Sequence, residues 1–278
     1  MKGLVTIILA VAAVAAIGSV TSAFKLPIPG FSDIFAYTYK YDDGGKYTAG
    51  DTTINAGVKN LNIDWVTGNG TVEYHDDETV LVKETSNRSL NDDTRLHLYL
   101  DGDTLYIKYA KNGARIKSDM QKDLVITLPR SVKTGLAEID NTTGDIFVKG
   151  GTWQELDLKA TTGSVNVSAN MADKLNAKST TGNVNADIQS AGAIDLHCTT
   201  GDIIIFAGSF ESINAKVTTG NIRASLPEKP GFTAKLSTVT GDVSCALPHT
   251  DSDKQYVIGD GSRPIEMKAV TGDIKITG

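Results

Sequence analysis

The chain has 278 residues, long enough for a sizeable core, and a formal net charge of -6. That acidity denies it the basic face that phosphate backbones require, so no nucleic acid is expected as a partner. Abundant Gly, Thr and Asn with 6% aromatic residues suit short strands and tight turns rather than helical bundles, and two cysteines, Cys198 and Cys245, without CxxC spacing exclude a disulfide framework.

Met1-Lys2-Gly3 opens onto an uncharged apolar run from Leu4 to Val20, and the next charge is Lys25. The run is 17 residues, or 21 if carried to Phe24, a length shared by signal-peptide cores and spanning helices. Residues 1–24 therefore read as a signal peptide or a signal-anchor helix. Thr21-Ser22-Ala23 offers a small-residue cleavage site; if retained, the helix holds the protein at the membrane with Lys2 inside. Either way the body after about residue 25 is exported. Residues 25–35, with Pro27, Pro29 and Gly30, read as a linker.

Strand-like runs follow at 36–41, 58–66, 71–75, 79–85, 95–100, 104–110 and 124–128, separated by Gly/Asp/Asn clusters. Residues 36–135 are expected to form irregular early coils of one continuous solenoid. A separate small β-domain over 36–120 is the alternative.

From 136 to 278 the pattern becomes regular. Thr-Gly pairs recur with glycines at Gly144, Gly163, Gly182, Gly201, Gly220, Gly241 and Gly272, in steps of 19, 19, 19, 19, 21 and 31. Repeats of this period indicate stacked coils. Two and four residues after each glycine stand apolar columns, such as Ile146, Val165, Val184, Ile203 and Val148, Val167, Ala186, Ile205. The position between is polar apart from Phe147 and Ile204. A second alternating segment precedes each glycine, with Leu156, Leu175, Ile194 and Ile213 inward. Outward, an Asp/Asn/Glu column runs beside Lys159, Lys178, His197, Lys216 and Lys268, and reads as a solvated face. Period-two alternation makes each segment a strand with one buried face. The corner glycines supply φ > 0, and the short polar residues after them close the turn. The expected fold is all-β: a single β-helix or β-solenoid of 19-residue coils, preceded by the N-terminal hydrophobic helix.

Chemistry is hard to find in this pattern. His75, His97, His197 and His249 have no metal-ligand spacing, and no calcium-roll, GxSxG, HExxH or P-loop sequence occurs, so no metal, cofactor or catalytic residue is assigned. Acids copied at every corner read as turn formers, whereas an active site brings unlike groups to one place. Cys198 and Cys245 fall in inward columns and are expected to be buried, inert thiols. Trp153 and Phe210 fall at coil corners and are expected to plug the core. The candidate binding loop is the insertion at 247–264, carrying His249, Asp251, Asp253, Tyr256, Asp260 and Arg263, since loops leaving a rigid scaffold often bind.

Three motifs carry a family resemblance: Leu61-Asn62-Ile63-Asp64-Trp65-Val66-Thr67-Gly68, Leu124-Val125-Ile126-Thr127-Leu128-Pro129, and the Thr-Thr-Gly-Asp/Asn-Val/Ile ladder. Over roughly residues 50–278 the chain resembles the bacterial β-strand-repeat "putative adhesin" family. The resemblance implies an exported β-helix with a short N-terminal hydrophobic segment and no agreed catalytic residues; some relatives are linked with envelope stress. The expected function is a non-enzymatic, adhesin-like surface protein, membrane-anchored or secreted, whose partner is a protein, glycan or envelope component. Two alternatives are an envelope-stress sensory or regulatory module and a polysaccharide-active β-helix enzyme.

Overall fold

The computed structural model describes residues 36–278 apart from 56, 253 and 254, so the expected N-terminal helix and linker lie outside the described residues. Apart from one 3-10 turn at Gly44–Lys46, every regular element among them is a strand. Before the corner glycines, Thr134–Thr143, Thr152–Thr162, Val165–Thr181, Val184–Thr200 and Ser212–Thr219 pair in parallel, each residue facing one 19 positions away. After the glycines, Ile146–Lys149, the two 17-residue strands, Ile203–Ala207 and Ile222–Ser225 do the same. The apolar columns of both faces are buried in one core, which Trp153 and Phe210 plug at 1% exposure each.

The corners show why glycine recurs. Gly201 has φ +140°, and a Cβ there would collide with the carbonyl of Gly182 in the coil beneath. The same approach repeats at all seven corner glycines. The residue after each glycine caps the next coil. Ser164 N–H donates to Asp145 Oδ1 (2.7 Å), Asn183 to Ser164 Oγ (3.1 Å), Asp202 to Asn183 Oδ1 (2.9 Å) and Asn221 to Asp202 Oδ1 (2.8 Å). Ser179 Oγ and Cys198 Sγ donate to the carbonyls of Gly163 and Gly182, which is why small polar residues enter an inward column.

Stacking order departs from sequence order at both ends. Asn60–Thr67 and Gly70–His75 pair directly with Thr134–Thr143 and Ile146–Lys149, while the later Thr104–Lys108 and Lys122–Pro129 lie outside them. At the other end Arg263–Thr271 and Ile274–Thr277 stack on Ser212–Thr219 and Ile222–Ser225, and the earlier Phe232–Thr240 and Val243–Cys245 lie outside. The long 247–264 insertion supplies the chain that crosses over the outer coil and returns beneath it. The C-terminal strand thus gains a partner on each side instead of fraying at the end of the stack.

The first-described end is closed by antiparallel strands. Val80–Ser86 runs along Lys122–Pro129, and His97–Asp101 along Thr104–Lys108. Beneath this cap lies a fully buried ion pair, Lys122 Nζ to Glu84 Oε2 at 2.9 Å, with the ammonium 4.2 Å from the Tyr109 ring centre and 5.1 Å from that of Trp65. Lys122 also donates to the carbonyls of Thr94 (2.8 Å) and Tyr109, so the charge is enclosed by acceptors. Burial pulls its pKa down to about 8, against the upward pull of Glu84.

Two outcomes follow from this packing. Gly201→Ala must strain its backbone and displace a carbonyl, so thermal or chemical denaturation should show a loss of about 1–3 kcal/mol or more, while Gly57→Ala, with open space around it, should change little. Glu84→Gln leaves an unpaired buried ammonium, at a cost of about 3–5 kcal/mol. Because the pair holds the proton on Lys122 up to about pH 8, that deficit should be largest below this pH. It should shrink above it, where Lys122 is neutral in both proteins. Urea titrations on either side of that pH would read it.

Candidate interaction surfaces

The residues of the predicted binding loop do not converge on one point. Thr250–Ser252 and Gln255–Ile258 form a hairpin that brings three of them together. The His249 ring lies edge-on to Tyr256 at 4.9 Å, and its Nε2 is 3.7 Å from Asp251 Oδ1. Tyr256 packs partly against the core. Asp260 accepts from Ser262 N–H (3.1 Å) in its own turn, and hydrogen bonds from Ser262 hold its carboxyl below the usual range. Arg263 turns away to Glu211 (3.4 Å), and Asp253 lies outside the described residues. The seven corner glycines are structural, as described above.

Sequence reasoning missed a surface on the outer side of the post-glycine strands. Here Phe147, Asn166, Asn185 and Ile204 form one outward column, and Lys149, Ser168, Asp187 and Phe206 form its neighbour. Together they line a shallow groove of about 390 Å³. Asn185 Nδ2 donates to Asn166 Oδ1 at 2.8 Å, so two amides form a short ladder between apolar side chains. Phe206 is 53% exposed. The signal was present in sequence as Phe147 and Ile204 interrupting a polar column; Phe206 stands in the column beside it.

A second hollow, of about 580 Å³, lies where the segment around Tyr37 and Tyr39 crosses the outer side of the pre-glycine strands. Stacking places Asp64, Glu138, Asp140 and Asp157 on neighbouring strands of this face. Lys159 sits among three of them, 3.2 Å from Asp157, 3.8 Å from Asp140 and 3.9 Å from Glu138; Lys108 lies 3.5 Å from Asp64. Burial raises the Asp140 carboxyl, Lys159 opposes this, and Glu138, Asp64 and Asp157 push it up further. Tyr39 Oη donates to Asp64 Oδ2 at 3.1 Å, tying the crossing segment to the network. The arrangement is a neutralised charge lattice, with cations placed between like charges that stacking would otherwise set against each other. Lys159→Met removes the cation and raises Asp140 further. A carboxyl with a raised folded pKa favours the fold while protonated, so the variant's stability deficit should grow as pH rises from the acid range to neutrality. Melting curves across that range would check it.

Both cysteines are free. Cys198 is buried, and burial raises its thiol to about 11. Cys245 departs from expectation: it is half-buried, because among the described residues its coil is the outermost of the stack. Among the described residues no three of His, Cys, Asp and Glu are grouped to hold a metal ion.

These features define an all-β protein of stacked, glycine-cornered coils. The chain belongs to the Toastrack family, DUF4097, whose pattern matches residues 126–277. No curated protein matches it in sequence. Among solved structures it is similar to a "putative adhesin" from Bacteroides fragilis, at 15% identity and a TM-score of 0.42 over 83% of this chain and 97% of that one. A "putative cell adhesion protein" from Clostridium sporogenes is similar at 13% identity and a TM-score of 0.35, over 84% of this chain and 99% of that one.

Proposed function

We propose that this chain is a non-enzymatic, adhesin-like protein of the cell surface, in which the rigid coil stack presents a binding face to a protein, glycan or envelope component. It is held at the membrane by residues 1–24 or released from it. The observation that carries this reading is the groove on the post-glycine face, where Phe147, Ile204 and Phe206 stand outward around the Asn166–Asn185 ladder. Solvent-facing rings on an otherwise polar sheet cost the fold solubility and add nothing to its core. Rings beside amides suit a partner that offers both apolar surface and hydrogen-bonding groups. The acids of the pre-glycine face, by contrast, are matched by lysines, as suits a lattice rather than a reaction centre.

Co-sedimentation of the full chain with isolated cell envelope from the source bacterium tests the reading. Replacing both Phe147 and Phe206 by Ala should weaken binding about tenfold or more, since central aromatic contacts are worth about 1–2 kcal/mol each. The melting temperature should hardly move, because both rings lie outside the core. Undiminished binding by that variant would sink the proposed face.

A further inference from the structure

The two ends of the stack are finished differently. One is closed by the antiparallel strands Val80–Ser86 and His97–Asp101. At the other, Gln255–Ile258 covers only Phe232, Thr233 and Ala234 of the outermost coil. Among the described residues, no other strand pairs with the outer edge of that coil. Leu236, Thr238, Val243 and Cys245 are half-buried, whereas their counterparts in the enclosed coils 152–225 and 263–277 are buried.

The composition of this edge runs against what an exposed edge requires. Sheet edges that face water are usually charged, shortened or covered, because unpaired N–H and C=O groups invite another strand. Here the charged outward column loses its charge. The column of Lys159, Lys178, Lys216 and Lys268 ends in Ser237, and the two charges nearest the end of the neighbouring face, Arg223 and Lys275, give way to Ser244. The uncharged column of Thr218 continues through Val270, 49% exposed, to Val239, 80% exposed. Lys235 is the one charge gained. The capping relay stops here too: Asp242 N–H donates to Asp273 Oδ1 at 2.8 Å, and among the described residues no coil lies beyond Asp242.

We infer that this end coil is an interface and that its occupant is a second copy of the chain, meeting it end to end about a two-fold axis. Covering both open strands and the core between them takes a body with two strands at the same separation, and another copy of this coil is such a body. The opposite end is already capped, so the contact closes at two copies and does not propagate into a filament. Under the two-fold, residues 235–240 lie antiparallel to their own copy, as do 243–245; Lys235, at one end of its segment, then lies across from the other end of its copy's, so the two lysines are not set against each other.

Light scattering of the full chain in detergent, over a dilution series, tests this. The expected result is a dimer that dissociates on dilution. Ser237→Lys combined with Val239→Lys should give a monomer, while Thr218→Lys, the same change within an enclosed coil, should leave the dimer intact. A second readout needs no variant: alkylation of Cys245 should slow as concentration rises, while buried Cys198 stays unreactive throughout. A chain that is monomeric at every concentration, a dimer that survives the double lysine variant, or a Cys245 that reacts equally fast in the dimer overturns the inference. Protection of Cys245 only after envelope material is added would also overturn it, by giving the edge to a strand from another protein.

Discussion

The structure depends on one close approach: the corner of each coil must sit against the carbonyl of the coil beneath. At Gly182 and Gly201 any side chain would occupy the space of that carbonyl oxygen. The glycine thereby lets the following residue reach the next backbone N–H, and the interval between coils becomes a hydrogen-bonded one. Asp145, Ser164, Asn183, Asp202 and Asn221 form a relay in which each side chain caps its neighbour's turn. An apolar side chain could not accept from that N–H, so the relay also explains why the position takes Asp, Asn and Ser and no apolar residue.

The relay also traces the true order of the stack. Asp145 N–H is held by Asn69 at one end, and Asp273 N–H by Asn221 at the other, across 76 and 52 residues of sequence. Chain connectivity therefore does not decide which coils touch. Both swaps draw an early or late coil one layer inward, and each places its strands between two parallel neighbours. Solenoids grow by nearest-neighbour contact, with the outermost unit as the weak one. Inserting a coil near each terminus of the described chain spends loop length, which is entropically cheap, to give both of those coils a neighbour on each face.

Much of this was legible in sequence because alternation has only one physical solution. A column such as Val165, Val184, Ile203 and Ile222 fixes face, register and burial together, and the corner glycines fix the period. The order of the end coils was not legible. Ile213, Ala234 and Ile265 are interchangeable as neighbours in their column, so the apolar pattern says which way each residue points and not which layer it occupies. The same gap misplaced Cys245, whose column is inward but whose coil is terminal. The insertion was rightly visible as a break in the period, but its side chains serve a crossover: Asp260 closes a turn and Arg263 reaches Glu211. The Tyr39–Asp64 contact was invisible for a different reason, since it joins a crossing segment to a face built from distant strands.

In a repeat, the residues that keep the pattern and those that break it answer to different demands. A side chain copied from coil to coil, as in the Asp/Asn/Glu column of Glu138 and Asp157, is accounted for by stacking, whatever its chemistry; Asp64 and Asp140 stand in the lysine column and are matched there by Lys108 and Lys159. A side chain that departs from its column needs its own cause. Ser179, Cys198 and Thr238 depart from an apolar column and find that cause inside the fold, each donating to a glycine carbonyl. Phe147, Ile204 and Phe206 depart from polar columns, and the fold gives them no such return. Ser237 departs by losing the charge of its column, and Val239 stands exposed beside it, at the edge where charge would protect the monomer. Internal partners account for the first group; the other two are the residues on which the proposed contacts outside the chain rest. The scaffold's own regularity thus separates what builds the protein from what it presents.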